Sequence, residues 1–196
     1  MSSTLSKYPI VDTDIWVSLV FSKFDERLIK SYGSLIFADV VAKEIMRWKS
    51  NDSKAQEVAL HFDELRQHKL ISIIDFHNFS VFEQMAINHQ LEEYGLQRVN
   101  ITEKNKGEFV SLLYALNLDV KIFKTNDHAF SNELDDTTKQ LITIMHWDEI
   151  LDKFSKDFKE KIKVEKLVRQ KQENMKKQRQ AYQQDPRWDK LKQFLG

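Results

Sequence analysis

Twice in this chain a short apolar run breaks directly into an acid. Val120 to Phe123 leads into Thr125-Asn126-Asp127, and Tyr8-Pro-Ile-Val11 leads into Asp12-Thr13-Asp14. A run of that length between polar flanks reads as a buried strand. In open α/β sheets the carboxyl ends of strands are where ligands bind, because the strand fixes a residue while the loop after it leaves that residue accessible. Two such ends about a hundred residues apart predict one composite site. The rest of the chain is what must bring them together.

The intervening chain alternates in the same way. Short apolar runs recur at Ser34–Phe37, Leu70–Ile74 and Leu141–Met145, with helical patterns between them. The first helix is expected from near Ile15 with Asp14 as its cap, and a second over Asp25–Lys30. A third is expected from Val40 to Trp48, capped by Asp39 and carrying Glu44. Ala55, Val58, Ala59, Phe62 and Leu65 recur at three- and four-residue spacing, an amphipathic helix over 53–68. Another spans Phe79–Tyr94 with Gly95 as its stop, and the next opens at Thr102 and runs through Glu108 to about Asn117. A short helical turn is expected after Asp127 and a further helix from about Trp147. Such alternation predicts an α/β fold: a parallel sheet of about five strands, helices on both faces, and right-handed crossovers.

Composition narrows the function classes. A hydrophobic fraction of 41% supports one well-packed domain plus an appendage. No apolar run approaches the roughly 18 residues of a membrane span. The opening residues Met1–Lys7 carry no apolar signal region, so a cytoplasmic location away from membranes is expected. With no cysteine, thiolate metal sites and a cysteine nucleophile are excluded. The six histidines show no ligand spacing, and the four glycines form no phosphate-binding loop.

What is left is carboxylate chemistry. Asp12 and Asp127 end strands, and Glu44 and Glu108 lie in helices that follow loops at the same sheet edge. Clustered carboxylates raise one another's pKa, so they stay ionised together only around a cation. Hard oxygen ligands favour Mg²⁺ or Mn²⁺ over zinc. Such ions serve phosphoryl chemistry by activating water and stabilising developing charge. The reading is therefore metal-assisted phosphodiester hydrolysis.

Four segments carry a further signal. Ile10-Val-Asp-Thr-Asp14, Val41-Ala-Lys-Glu-Ile45, Gly107-Glu-Phe-Val-Ser-Leu-Leu-Tyr-Ala115 and Lys124-Thr-Asn-Asp-His-Ala-Phe130 resemble, in order and spacing, the four acidic motifs of PIN-domain proteins. The resemblance covers about residues 8–151. It implies a Rossmann-like PIN-type fold and a metal-dependent endoribonuclease directed at single-stranded RNA. Asp12, Glu44, Glu108 and Asp127 would then be the metal-binding, catalytic acids, and Thr125 would steady the acidic turn. Asp14 stands where many members have Ser, Thr or Asn, and is either an extra acid near the metal or the helix cap. Many small PIN proteins are toxins silenced by a small partner protein, which makes such a partner, and a homodimer, part of the expectation. The alternative is a non-catalytic PIN-like scaffold that binds RNA or protein.

The resemblance stops before the tail. Residues 1–150 carry 16 Lys and Arg against 23 Asp and Glu, whereas residues 151–196 carry 14 against 7. An acidic nuclease-like domain over 1–151 and a basic, mostly helical extension over 152–196 are expected. Phe154, Phe158, Ile162, Glu165 and Val168 sketch a seam for the first half of the extension only. Asp152/Lys156 and Asp157/Lys161, each four apart, are expected helix pairs. Three readings are open: a helix packed on the body, a docking peptide, or a basic arm placing Lys171, Lys176, Lys177 and Arg179 on RNA phosphates.

Overall fold

The computed structural model describes residues 5–50, 54–101, 106–126 and 134–183, with side chains as far as Gln178. Five strands, β1 (Ile10–Val11), β2 (Leu35–Ala38), β3 (Ile71–Ile74), β4 (Ile122–Lys124) and β5 (Thr143–Met145), form one sheet in the order β3-β2-β1-β4-β5. Every pairing is parallel. The α/β class, the parallel sheet and the helical extension are as expected from the sequence.

Between β1 and β2 come α1 (Thr13–Ser22) and α2 (Asp25–Tyr32); α3 (Asp39–Arg47) and α4 (Lys54–Gln67) link β2 to β3. The connection from β3 to β4 carries α5 (Val81–Glu93) and α6 (Lys106–Asn117), and α7 (Asp136–Leu141) precedes β5. All four residues of β2 are buried, the near-continuous apolar run that a strand covered on both faces needs. Trp16 of α1 meets Phe37 edge-on at 5.6 Å, and Phe37 meets Phe62 of α4 at 4.9 Å, so α1 and α4 cover one face. After β3 the chain reverses direction across the sheet. Right-handed crossovers then place α6 on the opposite face, where it lies against β1, β2 and β4 with α5 outside it. Gly95, at φ 72°, takes the left-handed backbone that ends α5, as its position predicts. The helical turn expected after Asp127 lies outside the described residues, as does the first part of the helix expected from Thr102. No helix among the described residues is long and apolar enough to cross a membrane.

The described residues end with α8 (Trp147–Phe154) and α9 (Phe158–Gln183). The packed seam of α9 is Val164, Val168 and Met175; Phe154 and Val168 pack as expected, whereas Phe158 and Ile162 of the expected seam point to solvent. Both expected helix pairs change as well. Asp152 pairs with Lys161 across the break between α8 and α9, and Asp157 accepts the Glu160 amide at 2.8 Å. Arg27 fastens the start of α9 to α2. Its guanidinium donates to both Glu160 oxygens, at 2.6 and 3.0 Å, and to the Phe154 carbonyl at 2.6 Å, and it lies 4.4 Å over the Phe24 ring.

That guanidinium holds the Glu160 carboxyl down to about 2. The clamp therefore stabilises the fold above the ordinary carboxylate range, and its contribution is lost as the pH falls toward 2. Arg27→Ala should free the start of α9, giving faster proteolysis in the extension and a melting temperature lower by a few degrees. An unchanged digestion pattern would show the clamp to be dispensable.

Candidate metal centre at the carboxyl edge of the sheet

β1 and β4 are neighbours whose onward connections leave in opposite directions, toward β2 and toward β5. The crevice beyond their carboxyl ends is thus the switch point of the sheet. Ile10 pairs with Phe123 and Val11 with Lys124, which sets Asp12 level with Thr125. The Asp12 amide donates to the Lys124 carbonyl at 3.1 Å and extends the ladder by one bond.

Asp12 is 2% exposed. Its Oδ1 accepts the Ile15 amide at 2.8 Å and so caps α1. This corrects the expectation for Asp14: the helix starts at Thr13, its cap is Asp12, and Asp14 adds a second charge in the first turn. Asp12 Oδ2 is buried and finds no hydrogen-bond partner among the described residues. Burial pushes the Asp12 carboxyl up to about 8, helped by the charges of Asp14 and Glu108. The Thr125 hydroxyl and the Ile15 amide pull it back only in part.

The other acids reach this edge by different routes. Thr13 Oγ1 donates to Glu44 Oε2 at 2.8 Å, tying α3 to the residue that follows Asp12. Glu108 stands in the first turn of α6, half-buried, close enough to act on Asp12. The preceding residue explains how it gets there. A Cβ on Gly107 would come within 3.3 Å of Val41 Cγ2, so the glycine lets the start of α6 press against α3 one turn before Glu44 without crowding that side chain. Asp127, three residues beyond the end of β4, lies outside the described residues. Among the described residues, no three acids or histidines stand close enough to share an ion. Chemically the donors fit one: Asp12 Oδ2 is a buried oxygen with no hydrogen-bond partner among the described residues, and hard carboxylates suit Mg²⁺ or Mn²⁺.

A further acid at this edge is already satisfied. Asp39, expected as a cap, is the first helical residue of α3, and Ala38 is the cap position. Its Oδ1 accepts from the buried Tyr114 hydroxyl at 3.1 Å and its Oδ2 from Lys43 Nζ at 2.6 Å. Burial, with the Asp39 charge, drives the Tyr114 hydroxyl far up, so it stays a donor.

Three supports escaped the sequence reading. Thr13 belongs to the motif opening at Ile10, yet nothing in the pattern gave it a partner. His146 Nδ1 donates to the Thr125 carbonyl at 2.9 Å while its amide donates to Glu149 at 2.8 Å, fixing the turn after β4 to the start of α8. The buried Lys106 donates to the Arg98 carbonyl and, at 2.7 Å, to that of Ile101. The last two use backbone carbonyls as partners, which leave no trace in residue spacing.

The four basic residues expected on RNA separate here. Lys171 Nζ donates to the Phe21 carbonyl at 3.2 Å and lies 5.3 Å over the Phe21 ring, so it caps the end of α1. Lys176 and Lys177 are exposed. The side chain of Arg179 lies outside the described residues.

No family model matches this chain, and no curated protein matches it. Among solved structures it is similar to a chain in the crystal structure of VapBC2 from Rickettsia felis bound to a DNA fragment from their promoter. That similarity has a TM-score of 0.47 at 17% identity and covers 71% of this chain and 98% of that one.

Proposed function

We propose that the chain is a metal-dependent endoribonuclease of PIN type acting on single-stranded RNA. The observation that carries this reading is Asp12: a buried carboxylate at the switch point of a parallel sheet, with one oxygen unpaired and two further acids acting on it. The ordered resemblance of the four acidic motifs supplies the reaction class.

In this reading Asp12, Glu44, Glu108 and Asp127 hold Mg²⁺ or Mn²⁺, and Thr125 and Asp14 flank them. The ion supplies charge stabilisation at phosphorus and a water of lowered pKa. Asp12 keeps its carboxyl rigid through the Ile15 cap, and Thr13 holds Glu44 toward the same edge. Because Asp12 is protonated below about 8, the site gives up a proton as it loads, and its affinity should rise with pH up to that point. In the same reading the chain is the toxin of a pair, with a small protein as the partner that silences it.

Purified chain should cleave an unstructured RNA with Mn²⁺ or Mg²⁺, stop in EDTA, and lose at least a hundredfold in rate on Asp127→Asn or Glu108→Gln. Cleavage that survives EDTA would sink the assignment. The scaffold alternative draws on the absence of a three-ligand cluster among the described residues. RNA binding without cleavage, with both metals, would decide in its favour.

A further inference from the structure

α9 does more than cover a face, because its direction delivers charge to a particular place. Its contacts with the body run in reverse order along the chain. Glu160 meets Arg27, Lys171 meets Phe21, and Gln172 Nε2 donates to Ser18 Oγ at 2.9 Å. The extension thus lies antiparallel to α1 and climbs toward the carboxyl edge of the sheet.

The level it reaches follows from helix geometry. Ser18 and Asp14 lie four residues apart on one face of α1, and Ser18 Oγ donates to the Asp14 carbonyl at 2.9 Å. Lys176 lies four residues beyond Gln172. At about 1.5 Å of rise per residue, both steps cover about 6 Å in the same direction. Met175 is buried, so the two helices are still packed one turn past Gln172. Lys176 therefore stands level with Asp14, two residues from Asp12. Lys176 and Lys177 are exposed, and among the described residues neither forms an ion pair.

An acidic edge repels a phosphate chain unless positive charge flanks it. Residues 1–150 have a balance of 16 − 23 = −7, and residues 151–196 one of 14 − 7 = +7. We infer that the last described turns of α9 form one bank of the substrate groove, with Lys176 and Lys177 holding phosphates of a single-stranded RNA as it enters the acidic edge, while Lys171 serves only to dock the helix. This inference rests on the nuclease reading and deepens it. It also turns the second half of the extension, for which the sequence showed no apolar seam, into an arm placed by Val168, Met175 and the Gln172–Ser18 bond.

The test uses the full chain and a fluorescein-labelled polyuridine of about twelve nucleotides, in EDTA so that no cleavage occurs. The salt slope of binding counts the phosphates that are neutralised, at about 0.7 per contact for single strands. Lys176→Ala/Lys177→Ala should weaken binding several-fold and lower that slope by about 1.4, without changing the heat of Mn²⁺ binding. Lys171→Ala should lower the melting temperature and leave the slope as it is. An unchanged slope in the double variant, or no measurable binding by the wild type, overturns the inference. Metal-dependent cleavage of the same RNA distinguishes the two layers: if it persists, only the role of α9 is lost, and if the wild type never cleaves, the nuclease reading falls with it.

Discussion

Asp12→Asn should make the metal-free protein more stable at pH 8, by on the order of 2–3 kcal/mol, or roughly 5–10 °C in melting temperature. The native carboxyl is held at about 8 against an ordinary value of 3.8. Between those values the folded state carries a proton that the unfolded state has released. Stability therefore falls as the pH rises through this window, and the full penalty stands above about 8. Asparagine removes the charge but keeps the oxygen that accepts the Ile15 amide, so the cap on α1 survives. Placing an amide where Oδ2 was costs part of the gain, which is why the figure lies below the whole shift. Thermal melts in EDTA from pH 5 to 9 are the check. The variant's advantage should vanish toward pH 4–5, and a uniformly less stable variant would show that burial does not destabilise the Asp12 charge.

Lys124→Met should be a second stabilising change, largest at neutral pH and below. Lys124 ends β4 with 0% exposure, and its ammonium finds only Met145 Sδ at 2.7 Å and the Tyr32 ring at 5.1 Å. Sulfur is a weak acceptor, and no carboxylate bonds the amine among the described residues. Burial drives the amine down to about 7 from 10.5, with the Lys153 charge adding to the fall and Glu149 opposing it. Between those values the unfolded state binds the extra proton, so stability rises with pH from about 7 to 10.5. Methionine keeps the length and removes the charge. The expected gain is on the order of 2–4 kcal/mol at pH 7, shrinking to nothing near pH 10.5. A variant that is destabilised at pH 7 would contradict this account of the buried amine. Taken with Asp12, the two slopes oppose each other, and the combined penalty from these two groups is largest between about pH 7 and 8.

The same lysine shows where the sequence was hard to read. The apolar run at Val120–Phe123 pointed to the right strand, yet β4 runs from Ile122 to Lys124. A lysine does not look like the last residue of a fully buried strand. The other four strands were legible because each is a bounded apolar run, although the stretch expected to open β5 at Leu141 ends α7 instead. The placement of Asp12 directly after β1, and of Glu44 and Glu108 in helices that reach the same edge, was legible, since position after a strand or at a helix start is a local property. The roles of Asp14 and Asp39 were not. Which acid caps a helix depends on where the backbone leaves the β region, and both α1 and α3 start earlier than the apolar pattern suggests. The seam of α9 was partly misplaced for a related reason. Lys171 and Gln172 dock through a carbonyl and a hydroxyl, and hydrophobic periodicity does not register such contacts.

The central claim is that the carboxyl edge holds a divalent cation through its four acids, and calorimetric titration of Mn²⁺ into the full chain near pH 8 tests it most directly. The account predicts saturable binding by the wild type, accompanied by proton release, and loss of that binding in both Glu108→Gln and Asp127→Asn while their melts in EDTA stay cooperative. No saturable binding by the wild type, or undiminished binding by the two variants, would contradict it.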